Sequence, residues 1–153
     1  MTNMYAYAPN PTGWMDPLGW CSTALGRNIG AKPGDGMQNH HLIPEEIMGD
    51  FNYSAMFDRL RSLGFKDDGA PNGILLPGSS ALAKTMNLPG HWSNHNQYTA
   101  AIKNEVSILS DRFDAGLIGN NELKEGIGEI QKWAREELIK GTFVVDVITG
   151  RLL

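Results

Sequence analysis

Apolar residues recur at three- and four-residue steps in three stretches of the chain, the period of a helix with one buried face. The first runs from Glu45 to Leu63, where Ile47, Met48, Phe51, Met56, Leu60 and Leu63 share a face, Pro44 suits the start and Gly64 the end. The second covers residues 93–115, with Tyr98, Ile102, Val106, Leu109 and Phe113 in register. Asn94 followed three residues later by Gln97 has the spacing of a capping box at its start. The third extends from about Asn121 to Lys140 and buries Leu123, Ile127, Ile130, Trp133 and Leu138; Gly126 and Gly128 weaken it and Gly141 stops it. Two short strands fit between: one beginning near Met37, and one in "PNGILLPGSS", where a turn at Asn72-Gly73 leads into an apolar run ending at Pro77. The tail "TFVVDVITGRLL" is strand-like. The pattern contains no internal repeat.

Composition changes this picture little. The 153 residues are one domain's worth, and 41% hydrophobic with 20% charged residues is ordinary for a folded globular chain. No apolar run approaches the length of a spanning helix, and the opening "MTNMYAYAPNPTGW" has neither the basic start nor the apolar stretch of a secretion signal, so membrane insertion is not expected. A lone Cys21 cannot form an internal disulfide, and there is no CxxC knuckle, so any metal must be held by histidine and oxygen. Its position without a neighbouring base makes Cys21 incidental rather than nucleophilic. The net charge of −4 opposes a nucleic-acid partner, but the acids crowd the last third. Between Arg59 and Lys103, five basic residues (Arg59, Arg61, Lys66, Lys84 and Lys103) face only Asp67 and Asp68, so a local basic face is expected.

Residues 1–20 differ in texture: "YAYAPNPTGWMDPLGW" is aromatic, turn-rich and almost uncharged. The stretch "NPTGWMDPLGW" is similar to the segment that closes the repeat-built shell of Rhs proteins ahead of their variable C-terminal domain. In that family an Asp-Pro-x-Gly motif, here Asp16-Pro17-Leu18-Gly19, marks where the C-terminal domain is cut free. The resemblance implies a boundary near Trp20 and Cys21, with residues 21–153 as a separate domain.

The candidate chemistry lies in the histidines. All four fall in two pairs, His40-His41 and His91/His95. The second pair, in "HWSNH", has a four-residue spacing that lets two imidazoles converge on one ion where the chain is helical. Neighbours on a strand point to opposite faces, so His40 and His41 suggest a division of labour, one binding metal and the other facing substrate. Phosphodiester hydrolysis uses such a division. A base must deprotonate water, and positive charge must sit near the scissile phosphate and the leaving oxygen. Imidazole suits the base, and a divalent ion on the remaining histidines suits the charge. The base must also be fixed by a hydrogen-bond acceptor, for which Asn72, or a backbone carbonyl in the turn it braces, is the candidate.

"NHHLIP" (39–44), "NGILLP" (72–77) and "HWSNHNQY" (91–98) together resemble the HNH/endonuclease VII superfamily, and within it the AHH nucleases. The resemblance covers about residues 37–100 and implies an α+β fold: two strands and a helix around one metal, with additional flanking helices. It implies His40, His91 and His95 as metal ligands, His41 as general base and Asn72 as the asparagine of the middle element. The implied cofactor is one divalent ion: magnesium, zinc, manganese or nickel. Two positions depart from the family pattern: Asn39 stands where the family name has alanine, and Asn96 follows His95 where proline is common.

Together the two resemblances imply an endonuclease toxin cutting the DNA of a competing bacterium. It would be made in the producer's cytoplasm, exported with the Rhs shell, often by a type VI secretion system, and neutralised by a cognate immunity protein. Arg59, Arg61, Lys84 and Lys103 are the candidates for holding substrate phosphates. Two alternatives stand beside it: a ribonuclease of the same fold, and a non-catalytic module in which a histidine-bound metal staples the structure. Trp92 and Tyr98 read as packing aromatics, and Glu45 and Glu46 as acids favouring the N-terminus of their helix.

Overall fold

A computed structural model describes residues 24–153. The Asp16-Pro17-Leu18-Gly19 segment, Cys21 and the proposed domain boundary lie outside the described residues.

Two strands form the sheet, β1 (Met37–His41) and β2 (Gly73–Pro77). They are antiparallel, with His40 opposite Ile74 and His41 opposite Gly73. A short helix, α1 (Ala24–Asn28), closes onto the start of β2. This approach requires Gly73, since a Cβ there would meet Leu25 Cδ1 at 2.5 Å and Ile29 Cγ2 at 2.8 Å. The architecture is α+β, with the small sheet surrounded by helices as expected. Among the described residues, no helix is long and apolar enough to cross a membrane.

The helix expected over residues 45–63 is broken. It divides into α2 (Glu45–Met48), a 3-10 turn at Phe51–Tyr53 and α3 (Ser54–Ser62). Asp50 takes an extended backbone and its carboxylate accepts from Asn52 N at 2.8 Å, a local bond that competes with helix continuation just after Gly49. The break rotates Phe51 out of the core, leaving it 87% exposed, while Tyr53 takes the inward position.

After β2 come α4 (Ser80–Met86), α5 (Asn96–Asp114) and α6 (Asn120–Lys140). Helices α5 and α6 pack together over a core that includes Leu42, Ile43, Phe57, Tyr98, Ile102 and Leu123. The buried stripe of α6 is Leu123, Ile127, Ile130, Gln131, Ala134 and Leu138. Trp133, expected inside, lies at the rim with 36% exposure, edge-on to Phe143. Gln131 goes inside instead because a partner waits there.

That partner is Asn72, fully buried just before β2. Its Oδ1 accepts from Ile43 N at 3.0 Å and from Gln131 Nε2 at 3.2 Å. Its Nδ2 donates to Asp67 O at 2.9 Å, and its backbone oxygen accepts from Leu42 N at 2.8 Å. One side chain thus ties the exit of β1, the turn around residues 64–69 and α6.

The tail is less strand-like than its sequence suggests. Residues 143–153 make only isolated bridges, Val145 with Leu152 and Arg151 with Gly90. Leu152 is nevertheless buried, and the segment supplies bonds that position the rest: Leu152 N to Gly90 O, Gly90 N to Gly150 O and Tyr98 N to Leu153 O, each 2.8 Å.

Replacing Asn72 with alanine leaves the Ile43 amide, the Asp67 carbonyl and the Gln131 amide without this partner. Unfolding in denaturant is expected to show a loss of about 2–3 kcal/mol, the scale of one buried polar network broken on one side.

Candidate metal and catalytic centre

Strand alternation separates the two adjacent histidines. His40 points inward and is 1% exposed, whereas the side chain of His41 lies on the other side of β1 and is 18% exposed. On the inner side the His40 ring meets those of His91 and His95, with centroids 4.9 and 5.0 Å away, and His91 and His95 are themselves 5.0 Å apart. Each ring offers a nitrogen, and the three nitrogens lie within 4.8 Å of one another. Tyr98 floors the cluster, its ring 4.7 Å from that of His40 while its hydroxyl donates to Leu42 O at 2.6 Å.

The helix expected over residues 93–115, which would include His95, starts only at Asn96, so neither histidine lies within its body. His95 is the N-cap of α5, and His91 lies in the preceding loop. The two converge because the tail holds that loop, pairing with Gly90 on one side of it. Trp92 folds back over Gly90, where a Cβ would meet its ring at 2.0 Å, so this aromatic packs rather than projects toward ligand. The expected Asn94/Gln97 capping box is also absent, because His95 makes no side-chain cap bond and the tail satisfies the Tyr98 amide instead.

All three rings are held in the neutral form. Burial is the largest cause for His40, followed by repulsion from His91, His95 and His41, and it sits well below the ordinary histidine value. Burial and then the His95 and His41 charges bring His91 down to about 4. His95 is lowered mainly by burial. Neutral imidazole is the metal-binding form. Both nitrogens of His40 and Nδ1 of His91 are buried without a hydrogen-bond partner, and one ion would take one nitrogen from each ring. His95 Nδ1 shares a 3.2 Å hydrogen bond with Thr99 Oγ1, an outer contact that leaves Nε2 for an ion. The donor set therefore fits one divalent ion held by His40, His91 and His95, with a coordination position to spare.

On the other side of β1, His41 Nε2 lies 2.8 Å from Asp68 Oδ1 and 3.7 Å from Glu45 Oε2. A carboxylate only accepts, so Nε2–H donates to it and Nδ1 carries the lone pair. Asp68 thus occupies the orienting place proposed for Asn72. Asn72 acts one step back, bonding the neighbouring Asp67 carbonyl. The turn is pinned further by Arg61, which grips the Asp67 carboxylate with Nε and Nη2 at 2.9 Å each, and by Asn28 Nδ2, which donates to Asp68 O at 2.7 Å. His41, Glu45 and Asp68 also lie close enough to share an ion, but here the histidine nitrogen already has a partner and the carboxylates are open to water.

The expected basic face is neutralised in part, at two of its five cations. Arg61 is taken up by Asp67 and Asp58, and Lys103 pairs with Asp50 at 3.6 Å. Arg59 donates to Asn120 Oδ1. Lys84, exposed on α4, lines a surface hollow of about 210 Å³ with Asn87, Leu88 and Pro89. Sequence reasoning missed Asp68, which has no diagnostic spacing from His41. It also missed Thr99, for which the four-residue step from His95 was an available signal.

The depressed histidines set an acid limit. An unfolded chain takes up a proton at His91 near pH 6.5, but the folded chain resists until about pH 4. The unfolded state binds more protons across that window, so stability falls as pH drops through it. Metal-stripped protein is expected to lose on the order of 1–3 kcal/mol from His91 alone between those limits, read as a falling melting temperature.

No curated protein and no solved structure matches the chain. A family model does, that of AHH, described as a nuclease family of the HNH/ENDO VII superfamily with conserved AHH, over residues 25–136. The match includes His40, His41, Asn72, His91 and His95, and it holds although the first position of the motif here is Asn39. The chain therefore belongs to the AHH nuclease family of the HNH/ENDO VII superfamily.

Proposed function

We propose that the chain is a metal-dependent endonuclease in which His41 takes a proton from the attacking water while His40, His91 and His95 hold a divalent ion. The observation that carries this reading is the back-to-back placement of a three-imidazole cluster and a carboxylate-anchored histidine on consecutive residues of one strand. The ion supplies, when bound, positive charge near the scissile phosphate and leaving oxygen. Asp68 fixes the tautomer of His41, presenting Nδ1 to water, and stabilises the ring once it is protonated. Tyr98 and Thr99 hold the rings of the inner cluster in place. Three imidazoles favour zinc or nickel over magnesium and manganese, whose preference is for oxygen ligands.

Within that reading, the substrate is DNA and the setting is competition between bacteria. The Asp16-Pro17-Leu18-Gly19 motif supports a toxin released from an Rhs shell, made in the producer's cytoplasm, exported by a type VI secretion system and acting in the cytoplasm of the target cell. A cognate immunity protein would protect the producer.

Supercoiled plasmid and total RNA, incubated with the protein with and without EDTA, test the substrate: metal-dependent nicking of plasmid supports DNA, and cleavage of RNA alone contradicts it. His41→Ala is expected to stay folded and metal-loaded while losing about 10²–10⁴-fold in rate. Unfolding or metal loss in that variant would instead favour a structural module. Asp68→Asn is expected to lose about 10–100-fold in rate with metal content unchanged.

A further inference from the structure

Of the proposed phosphate contacts, Arg61 and Lys103 are already paired with carboxylates, and Arg59 is bonded to Asn120. The α2 side of the site is acidic. Glu45 and Asp68 flank His41, and Glu46 acts on His95. A polyanionic strand approaching this site needs compensating charge elsewhere.

Arg151 sits where such charge would count. Its backbone bridges to Gly90, the residue before His91, and its Nη1 donates to Asn94 O at 2.6 Å, the residue before His95. The guanidinium is thereby fixed against the short loop that carries both loop-side histidines, and its charge is felt by His95. Among the described residues it makes no ion pair. Asp146, an acid whose charge acts with it, has Oδ1 accepting from the amides of Ile148 and Thr149. A guanidinium has five N–H donors, and one carbonyl uses only one of them. The side chain is only partly buried, so the rest of the fork is open to a ligand.

We propose that Arg151 is a substrate-binding residue that grips a backbone phosphate of the nucleic acid beside the three-histidine cluster. The assignment rests on the nuclease reading and extends the site beyond residues 25–136, the span of the family match. The Asn94 bond pre-organises the fork, so that little side-chain freedom is lost when phosphate arrives.

Arg151→Gln removes the charge while keeping a donor for the Asn94 carbonyl. Its KM is expected to rise about tenfold with kcat within about twofold and metal affinity unchanged. The slope of log(kcat/KM) against log salt should become shallower by about 0.9, the value for one phosphate contact on duplex DNA. A wild-type KM and slope overturn the assignment, as does a loss of cleavage that tracks loss of metal and is restored by excess metal, the signature of a mere latch. A wild-type protein that cleaves no nucleic acid overturns the nuclease reading and this inference with it. Wild type that cleaves beside an unaltered Arg151→Gln overturns the inference alone. Phenylglyoxal labelling of the wild type, read by peptide mass spectrometry, decides the matter even if the variant does not fold. A cleavage-resistant phosphorothioate duplex should protect Arg151, and equal labelling with and without it overturns the proposal.

Discussion

A buried imidazole with no hydrogen-bond partner on either nitrogen is the constraint around which this molecule is organised. His40 is almost wholly enclosed, and leaving such a group unsatisfied costs on the order of 1–3 kcal/mol. Folding brings His91 and His95 against it, which adds mutual repulsion to any protonated state and holds all three rings neutral. A cluster of that kind lowers the stability of the protein by itself and gains it on taking up a cation. Stability and metal loading are therefore linked through one residue.

The strand that carries His40 also determines what His41 does. Side chains alternate across a strand, so two adjacent histidines face two environments, one a closed core and the other a carboxylate at the surface. The surface partner comes from the turn before β2, and a chain of bonds from Arg61, Asn72 and Asn28 fixes that turn. The asparagine of the middle element thus supports the site through the backbone: it locks the exit of β1 to the turn that presents Asp68. Loop and tail do the corresponding work for the inner cluster, where Gly90 and Asn94 are both bonded to residues 150–152.

The two strands and the long final helix were legible in the sequence because each rests on local order, a turn signal or a period, whereas the conjunction of four histidines with Asn72 was legible through the family resemblance. What escaped depends on contacts between distant segments. The i,i+4 spacing of His91 and His95 allowed convergence where the chain is helical, but convergence comes from a loop clamped by the tail. The capping box at Asn94 lost because the helix starts one residue later, with His95 as N-cap and a tail carbonyl accepting from the first-turn Tyr98 amide. Periodicity put Trp133 inside and gave no reason to bury Gln131, whose place is set by Asn72, 59 residues away. Phe51 followed the helical period of its neighbours, and a single Asp50 side-chain bond broke that period. Charge counting over residues 59–103 overlooked Asp50 and Asp58, which lie just outside the window and pair with cations inside it.

The separation of roles between neighbouring histidines is open to direct observation by nitrogen-15 NMR of the imidazole rings during titration with zinc. One equivalent should move a nitrogen of His40, His91 and His95 into the metal-bound range, while His41 keeps its proton on Nε2 and its resonances close to those of the metal-free protein. Coordination of His41, or saturation of the chain with zinc that leaves His40 unchanged, would contradict the division on which the proposed chemistry stands.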